Sequence, residues 1–225
     1  MANIKAFIKK YDYGFTMLLY GIIYLAWFNH LEKNTPADFR VIHMALDDYI
    51  PFCEWFVLPY FIWFAYMLGV IVYFMFTDKE EYFKVFTFLA TGMTVFLLIS
   101  TLFPNGHQLR PMAMPRNNVL THMVRSLYRT DTPTNLWPSI HVYNSLGANI
   151  AIWRSKKFGD NKPVKIVSAI ICTSIILSTM FIKQHSVFDV CTAFIMAAVM
   201  YVLVYRKDLV DTVETLETSA EAVTN

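Results

Sequence analysis

Lys183-Gln184-His185-Ser186-Val187-Phe188-Asp189 interrupts a stretch, Val164 to Tyr201, that is otherwise almost wholly apolar. At ~1.5 Å of rise per residue, one unbroken helix over that stretch would run about twice the thickness of a bilayer's hydrocarbon layer. The chain must therefore turn back, and the polar heptad is where it does so. Charge at that depth is costly, so a Lys, a His and an Asp placed there need a reason. If Ser186 to Asp189 open the returning helix, His185 and Asp189 stand four apart on one face. There a carboxylate can hold an imidazole by hydrogen bond and make it a nucleophile.

The rest of the chain agrees with a hairpin inside a membrane. Of 225 residues, 56% are hydrophobic and 16% aromatic against 16% charged, too apolar a mixture for an ordinary soluble surface. Runs long enough to span occur at 14–29, 54–76, 82–103, 137–153, 164–182 and 187–205. The expected fold is all-α, a polytopic membrane protein of six transmembrane helices. A net charge of +2 gives no reason to expect a nucleic-acid partner. The three cysteines, Cys53, Cys172 and Cys191, lie far apart among apolar residues, without the spacing of a zinc site or a disulfide framework. Lys5, Lys9 and Lys10 precede the first apolar run as in a secretory signal. No small-residue cleavage site follows, so the run is expected to stay as the first helix.

Six spans put both termini on one side. With that side cytoplasmic, the larger share of the cations falls inside: Lys5, Lys9, Lys10, Lys79, Lys84, Arg154, Lys156, Lys157, Lys162, Lys165, Arg206 and Lys207. Lys33, Arg40, Arg110, Arg116, Arg125, Arg129 and Lys183 fall outside, and the histidines at 30, 43, 107, 122, 141 and 185 lie in or beside the outer segments. Any chemistry is thus expected to face outward from a cell membrane. Residues 1–205 read as one catalytic membrane domain. Residues 206–225, with Asp208, Asp211, Glu214, Glu217 and Glu221, read as an acidic cytoplasmic tail, solvated and partly disordered.

Two outer segments carry signals. The first, near 30–52, holds Asp38, Asp47 and Asp48 beside interfacial aromatics. It reads as a solvated loop with membrane-interface anchors, or, less simply, as one in which Asp47 and Asp48 help select a head group. The second, 104–136, is long enough to be functional. Within it Asn117-Asn118 offers an N-cap, and Val119, Leu120, Met123, Val124, Leu127 and Tyr128 recur at helical spacing with Arg125 and Arg129 on another face. A short interfacial helix is expected there.

Three pieces could make one anion site. Trp137-Pro138-Ser139-Ile140-His141 starts the fourth run, and Pro138 suits a first helical position, leaving the next amides and the positive end of the helix dipole free, with the Ser139 hydroxyl and His141 on the first turn. Arg110, before Pro111, offers a planar, permanently charged fork for phosphate oxygens. Lys183 stands two residues before His185. Each has a plainer reading: His141 as a packed side chain, Arg110 and Lys183 as snorkelling cations, His185 with Asp189 as a buried pair.

Taken in order, Arg110-Pro111, Pro138-Ser139-x-His141 and Ser178…His185-x-x-x-Asp189 on six spans resemble the type 2 phosphatidic acid phosphatase superfamily over about 100–200. That family's motifs read K-x6-RP, PSGH and SR-x5-H-x3-D. Here Phe103 stands at the first-motif Lys, Ile140 at the Gly and Thr179 at the third-motif Arg, as in the branch of inositol phosphorylceramide synthases and sphingomyelin synthases. The resemblance implies a lipid phosphate phosphatase, independent of metal and of any cofactor, acting on phosphatidic acid-like lipids through a phosphohistidine. His185 would attack phosphorus, Asp189 would orient it, and His141 would protonate the leaving oxygen. Arg110, Ser139, Lys183 and Ser178 would bind phosphate. Lys183, four residues after Thr179, is expected to replace the missing Arg. A head-group phosphotransferase has the same first step with a lipid alcohol as acceptor. A non-catalytic lipid binder or transporter is the reading from another class, and a metal site of His141, His185 and Asp189 is conceivable from ligand type alone.

Overall fold

The computed structural model describes residues 8–36 and 38–224, and side chains as far as Arg206. Lys5 and the carboxylates from Asp208 to Glu221 lie outside what is described. After a 3-10 turn at Asp12–Gly14 come α1 (Phe15–Lys33), β1 (Arg40–Val41), 3-10 turns at Ala45–Asp48 and Glu54–Phe56, α2 (Val57–Thr77) and α3 (Lys79–Leu102). Then follow β2 (Asn105–Gly106), α4 (Val119–Thr130), α5 (Ile140–Arg154), α6 (Lys162–Phe181) and α7 (Val187–Thr224). The two short strands pair in parallel, Arg40 with Asn105 and Val41 with Gly106, and so fasten the first long loop to the second.

Among the described residues five helices are long and apolar enough to cross a membrane: Asp12–Lys33, Glu54–Thr77, Lys79–Leu102, Lys162–Phe181 and Val187–Arg206. Their outward surfaces are apolar. Phe15, Leu18, Leu19, Ile22, Ile23 and Leu25 stand exposed on α1, and Ile195, Val199, Val202 and Leu203 on α7. Such continuous apolar surface has no place in water, and lipid is the solvent that suits it. Conversely, Ser145, Ser168, Ser178 and Thr179 are buried between helices, where their hydroxyls bond within the bundle. Tyr66, for instance, shares a hydrogen bond with Ser168, whose hydroxyl reaches Asn149.

The stretch expected as a fourth span differs from the others. It begins later than expected and forms a helix of 15 residues, about 22 Å long. α5 sits in the middle of the bundle against α2, α3, α6 and α7. Its small residues serve that position: Gly147 faces the Phe88 ring, while Gly92 of α3 faces the ring of Tyr143. A helix walled by protein needs no lipid-facing apolar surface, which is why its composition is the most polar of the set.

Three other expectations change. Pro138 is not the first helical residue. It follows a cis peptide bond from Trp137, and Ser139 is the N-cap, in extended conformation, with its hydroxyl accepting from the Val142 amide. α4 forms with Asn118 as its cap, the Asn118 side chain accepting from the Thr121 amide. Its apolar face is covered by protein, however: Val124 and Leu127 pack with Val57, Tyr60 and Ile182. The acidic tail continues α7 as helix to Thr224 instead of leaving it, as its Glu-, Leu- and Ala-rich sequence favours.

Candidate active site

The turn that the apolar run required lies between α6 and α7. α6 ends at Phe181, and the amides of Gln184 and His185 fold back onto the Thr179 carbonyl at 2.9 and 3.0 Å. Ser186 then opens α7. Its hydroxyl accepts from the Phe188 amide at 3.1 Å, while the Asp189 carboxylate, three residues on, accepts from the Ser186 amide at 3.0 Å. Ser186 thus caps the second amide of the helix while Asp189 reaches back to the amide of Ser186. The same Asp189 oxygen, Oδ2, lies 3.3 Å from His185 Nδ1. With a carboxylate facing Nδ1, the proton belongs there and the lone pair on Nε2. Asp189 is fully buried and His185 nearly so.

His141 lies in the first turn of α5, between the rings of Tyr60 and Trp63 at 4.6 and 4.4 Å, with its ring centroid 5.9 Å from that of His185. Its Nδ1 is buried without a partner. α5 and α7 are pinned at this level by the Ser139 amide, which donates to the Asp189 carbonyl at 3.3 Å. An imidazole from α5 thus shares one buried space with an imidazole and a carboxylate from the turn that opens α7. Among the described residues no three His, Cys, Asp or Glu side chains are grouped as a metal would need.

Arg110 reaches the same neighbourhood from the loop after α3. Its guanidinium donates to the carbonyls of Tyr128 at 3.2 Å and Asp131 at 2.8 Å and to the Gln184 side-chain oxygen, and it lies 4.2 Å over the Tyr128 ring. Gln184 in turn donates to the Asp131 carboxylate at 2.9 Å, which also accepts from Tyr60 at 3.2 Å. Burial raises Asp131 to about 6 against the opposing pull of Arg110. Burial, with Arg110 adding to it, pushes His185 down to about 3. His185 is thereby a neutral base at physiological pH.

The remaining expected phosphate ligands are placed differently. Ser178 is fully buried and its hydroxyl donates to the Ile175 carbonyl of its own helix. Lys183 does not lie one helical turn beyond Thr179, because α6 has already ended and Lys183 takes a left-handed backbone, φ 53°. Its stem runs to the loop between α1 and α2, where the ammonium holds the carbonyls of Asp47, at 2.9 Å, and Ile50. The bonds of Lys183 therefore fasten a loop rather than facing His185.

That loop holds the residue the sequence reading undervalued. Asp47 is buried, and its two oxygens accept from the Ser186 hydroxyl at 2.6 Å, the Val187 amide at 2.7 Å and the Met44 amide at 2.8 Å. Asp47 thus supplies the start of α7 with a second, non-local cap, whereas Asp48 is exposed and pairs with His43 at 2.9 Å. His107 is a second buried group of this kind. Its Nδ1 accepts from the Leu109 amide at 3.1 Å and its Nε2 donates to the Gln184 carbonyl at 3.0 Å, while burial lowers it to about 4. Neither residue has a local signal beyond being a charged or titratable group near membrane depth.

Compared with family models, with curated proteins and with solved structures, the chain matches none.

Proposed function

We propose that the chain is an integral membrane lipid phosphate phosphatase of the type 2 phosphatidic acid phosphatase kind, working on phosphatidic acid-like lipids through a phosphohistidine. The observation that carries this reading is the buried His185–Asp189 pair with His141 beside it. His185 Nε2 attacks phosphorus as the bond from phosphorus to the lipid oxygen breaks, and Asp189 holds the imidazole through Nδ1. A phosphate dianion between the rings favours a proton on His141, which passes to the leaving oxygen. Water then attacks phosphorus, the N–P bond breaks, and His185 and inorganic phosphate are released. Arg110, already poised on carbonyls beside Gln184, is the cation nearest to hand for the equatorial oxygens, with the free amides of α5 opposite. α5 as a sixth, protein-walled span, with the site open to the extracytoplasmic side, completes the reading.

One experiment tests the chemistry and its runner-up together. Purified protein is given radiolabelled lipid phosphates with and without a lipid alcohol, in the presence of chelator, and quenched in alkali, where phosphohistidine survives. Label on the His185 peptide, absent in His185→Ala, together with released phosphate, is the expected result. New phospholipid instead of phosphate would make the protein a phosphotransferase. Turnover that proceeds in His185→Ala would remove the proposal, and no turnover of any lipid phosphate by folded protein would favour a lipid binder.

A further inference from the structure

Away from His185, a cavity of 440 Å³ opens between the Pro111-Met112-Ala113-Met114 segment and the face of α4 that carries Arg125, Tyr128 and Arg129. Its walls are fastened. Arg110, at the head of the segment, is bonded to the Tyr128 and Asp131 carbonyls, and the Tyr128 hydroxyl donates to the Ile182 carbonyl at 2.7 Å. The charge inside is of one sign. Arg125 and Arg129 are one helical turn apart, a spacing at which like charges repel by about 0.2–0.5 kcal/mol. No carboxylate lines the cavity, and among the described residues neither arginine takes part in an ion pair. A cation in the last turn of a helix is favoured by the dipole, which accounts for Arg129. It does not account for Arg125, four residues earlier. Beside the two guanidinia the wall is apolar, and Met112 is completely exposed.

We propose that this cavity is a second anion site that takes the phosphate monoester of an amphiphile, separate from the His185 site. Arg125 and Arg129 supply planar donor forks to the phosphate oxygens, and Met112 and Met114 lie against the apolar part of the molecule. A dianion relieves the repulsion that the bare pair sustains. Tyr128 lines the cavity, and its ring also carries, at 4.2 Å, Arg110, which bonds to Gln184 next to His185. A lipid phosphate held here would touch a residue that contacts Arg110, a group of the proposed catalytic chemistry, and so serve as a recruitment site. That use rests on the proposed function; the binding itself does not.

The test is a photoreactive short-chain phosphatidic acid offered to the full chain in detergent, in a His185→Ala background so that the probe is not consumed, with cross-links mapped by peptide. The expected result is saturable labelling within 111–129, reduced about tenfold or more by Arg125→Gln with Arg129→Gln, a loss equivalent to one charge-assisted contact. The corresponding Arg→Lys pair keeps most of the labelling, and a zwitterionic choline analogue gives none above background. Competition by inorganic phosphate at the concentration of the probe would keep the site but assign it to the free anion. Unchanged labelling in the Gln pair, or equal labelling by the choline analogue, would overturn it. If the Gln pair does not fold, Arg125→Gln alone must still halve labelling at subsaturating probe for the proposal to stand. Because the readout is binding, labelling without turnover in the wild-type chain would sink the phosphatase and leave this site, and turnover without labelling would do the reverse.

Discussion

Asp47 and Lys183 exchange the roles that residue type alone suggests. A carboxylate in an outer loop reads as solvated, yet Asp47 holds the first turn of α7, and an ammonium near a phosphate site reads as a phosphate ligand, yet Lys183 holds the loop that holds Asp47. Asp47→Asn keeps the shape but puts a donor where one oxygen accepts. Turnover is expected to fall about tenfold with KM little changed, equivalent to ~1.4 kcal/mol of lost positioning. A loss confined to KM would show that Asp47 binds substrate instead. Lys183→Ala is expected to lower the unfolding temperature while folded protein keeps most of its turnover, and Thr179→Arg is expected not to rescue it. Recovery of a lost rate by that arginine would restore Lys183 to phosphate binding. Two buried histidines contribute to the pH response. His107 and His185 titrate at about 4 and about 3 in the fold against an ordinary 6.5, so between those values the unfolded chain binds protons that the folded chain does not. The contribution of these two histidines is therefore full above ~6.5 and drains as pH falls towards 4, by up to ~1.4 kcal/mol per pH unit for each, while Asp131, raised to about 6, works the other way below that value. Thermal unfolding from pH 8 to 4 of the wild type and of His107→Gln checks the sign for His107: the wild type should lose more stability than the variant as pH falls below ~6.5, and equal losses would remove its contribution.

At the level of elements, α5 and the turn before α7 determine how well the three ionisable groups meet. Much of this was legible: the break in the apolar run, the spacing of His185 and Asp189 and the Asn118 cap are local patterns with local causes. The start of α5 was less so, because a proline beside a serine is compatible with either residue opening the helix, and Ser139 took the cap. The packing of α5 on α3 makes a sharp prediction. A methyl group on Gly92 would run into the Tyr143 ring, and Tyr143 is two residues from His141. Gly92→Ala should cost on the order of 1–3 kcal/mol through overpacking and reduce turnover as well, read as a lower unfolding temperature together with slower phosphohistidine formation. Stability and rate equal to the wild type would mean that α3 and α5 are less closely packed.

For the molecule as a whole, lipid-facing helices surround a central short one, and the polar turns gather at the end where α2, α5 and α7 begin. The charge distribution of the loops predicts that this end faces away from the cytoplasm. An impermeant thiol reagent on intact cells should label Met112→Cys, whose side chain is fully exposed, and spare Lys157→Cys at the opposite end. Asn135, on the same outer segment, would be a poor reporter because it is buried against Glu32. The reverse labelling pattern would invert the orientation and the leaflet from which substrate comes.

By itself the sequence determined what short-range patterns and solvent preference can encode. Apolar runs made the helices, their outward faces required lipid, a run too long for one crossing required a turn at Lys183–Asp189, and a spacing of four put His185 against Asp189. Tertiary structure decided the rest, since those contacts join residues with no shared period. Asp47 reaches Ser186 across 139 positions, Gln184 reaches Asp131 across 53, and a left-handed residue at Lys183 sends its stem away from the imidazole. In a low-dielectric interior each buried polar group must find some partner, but which one depends on how the helices are placed against one another, and that geometry exists only once the chain has folded.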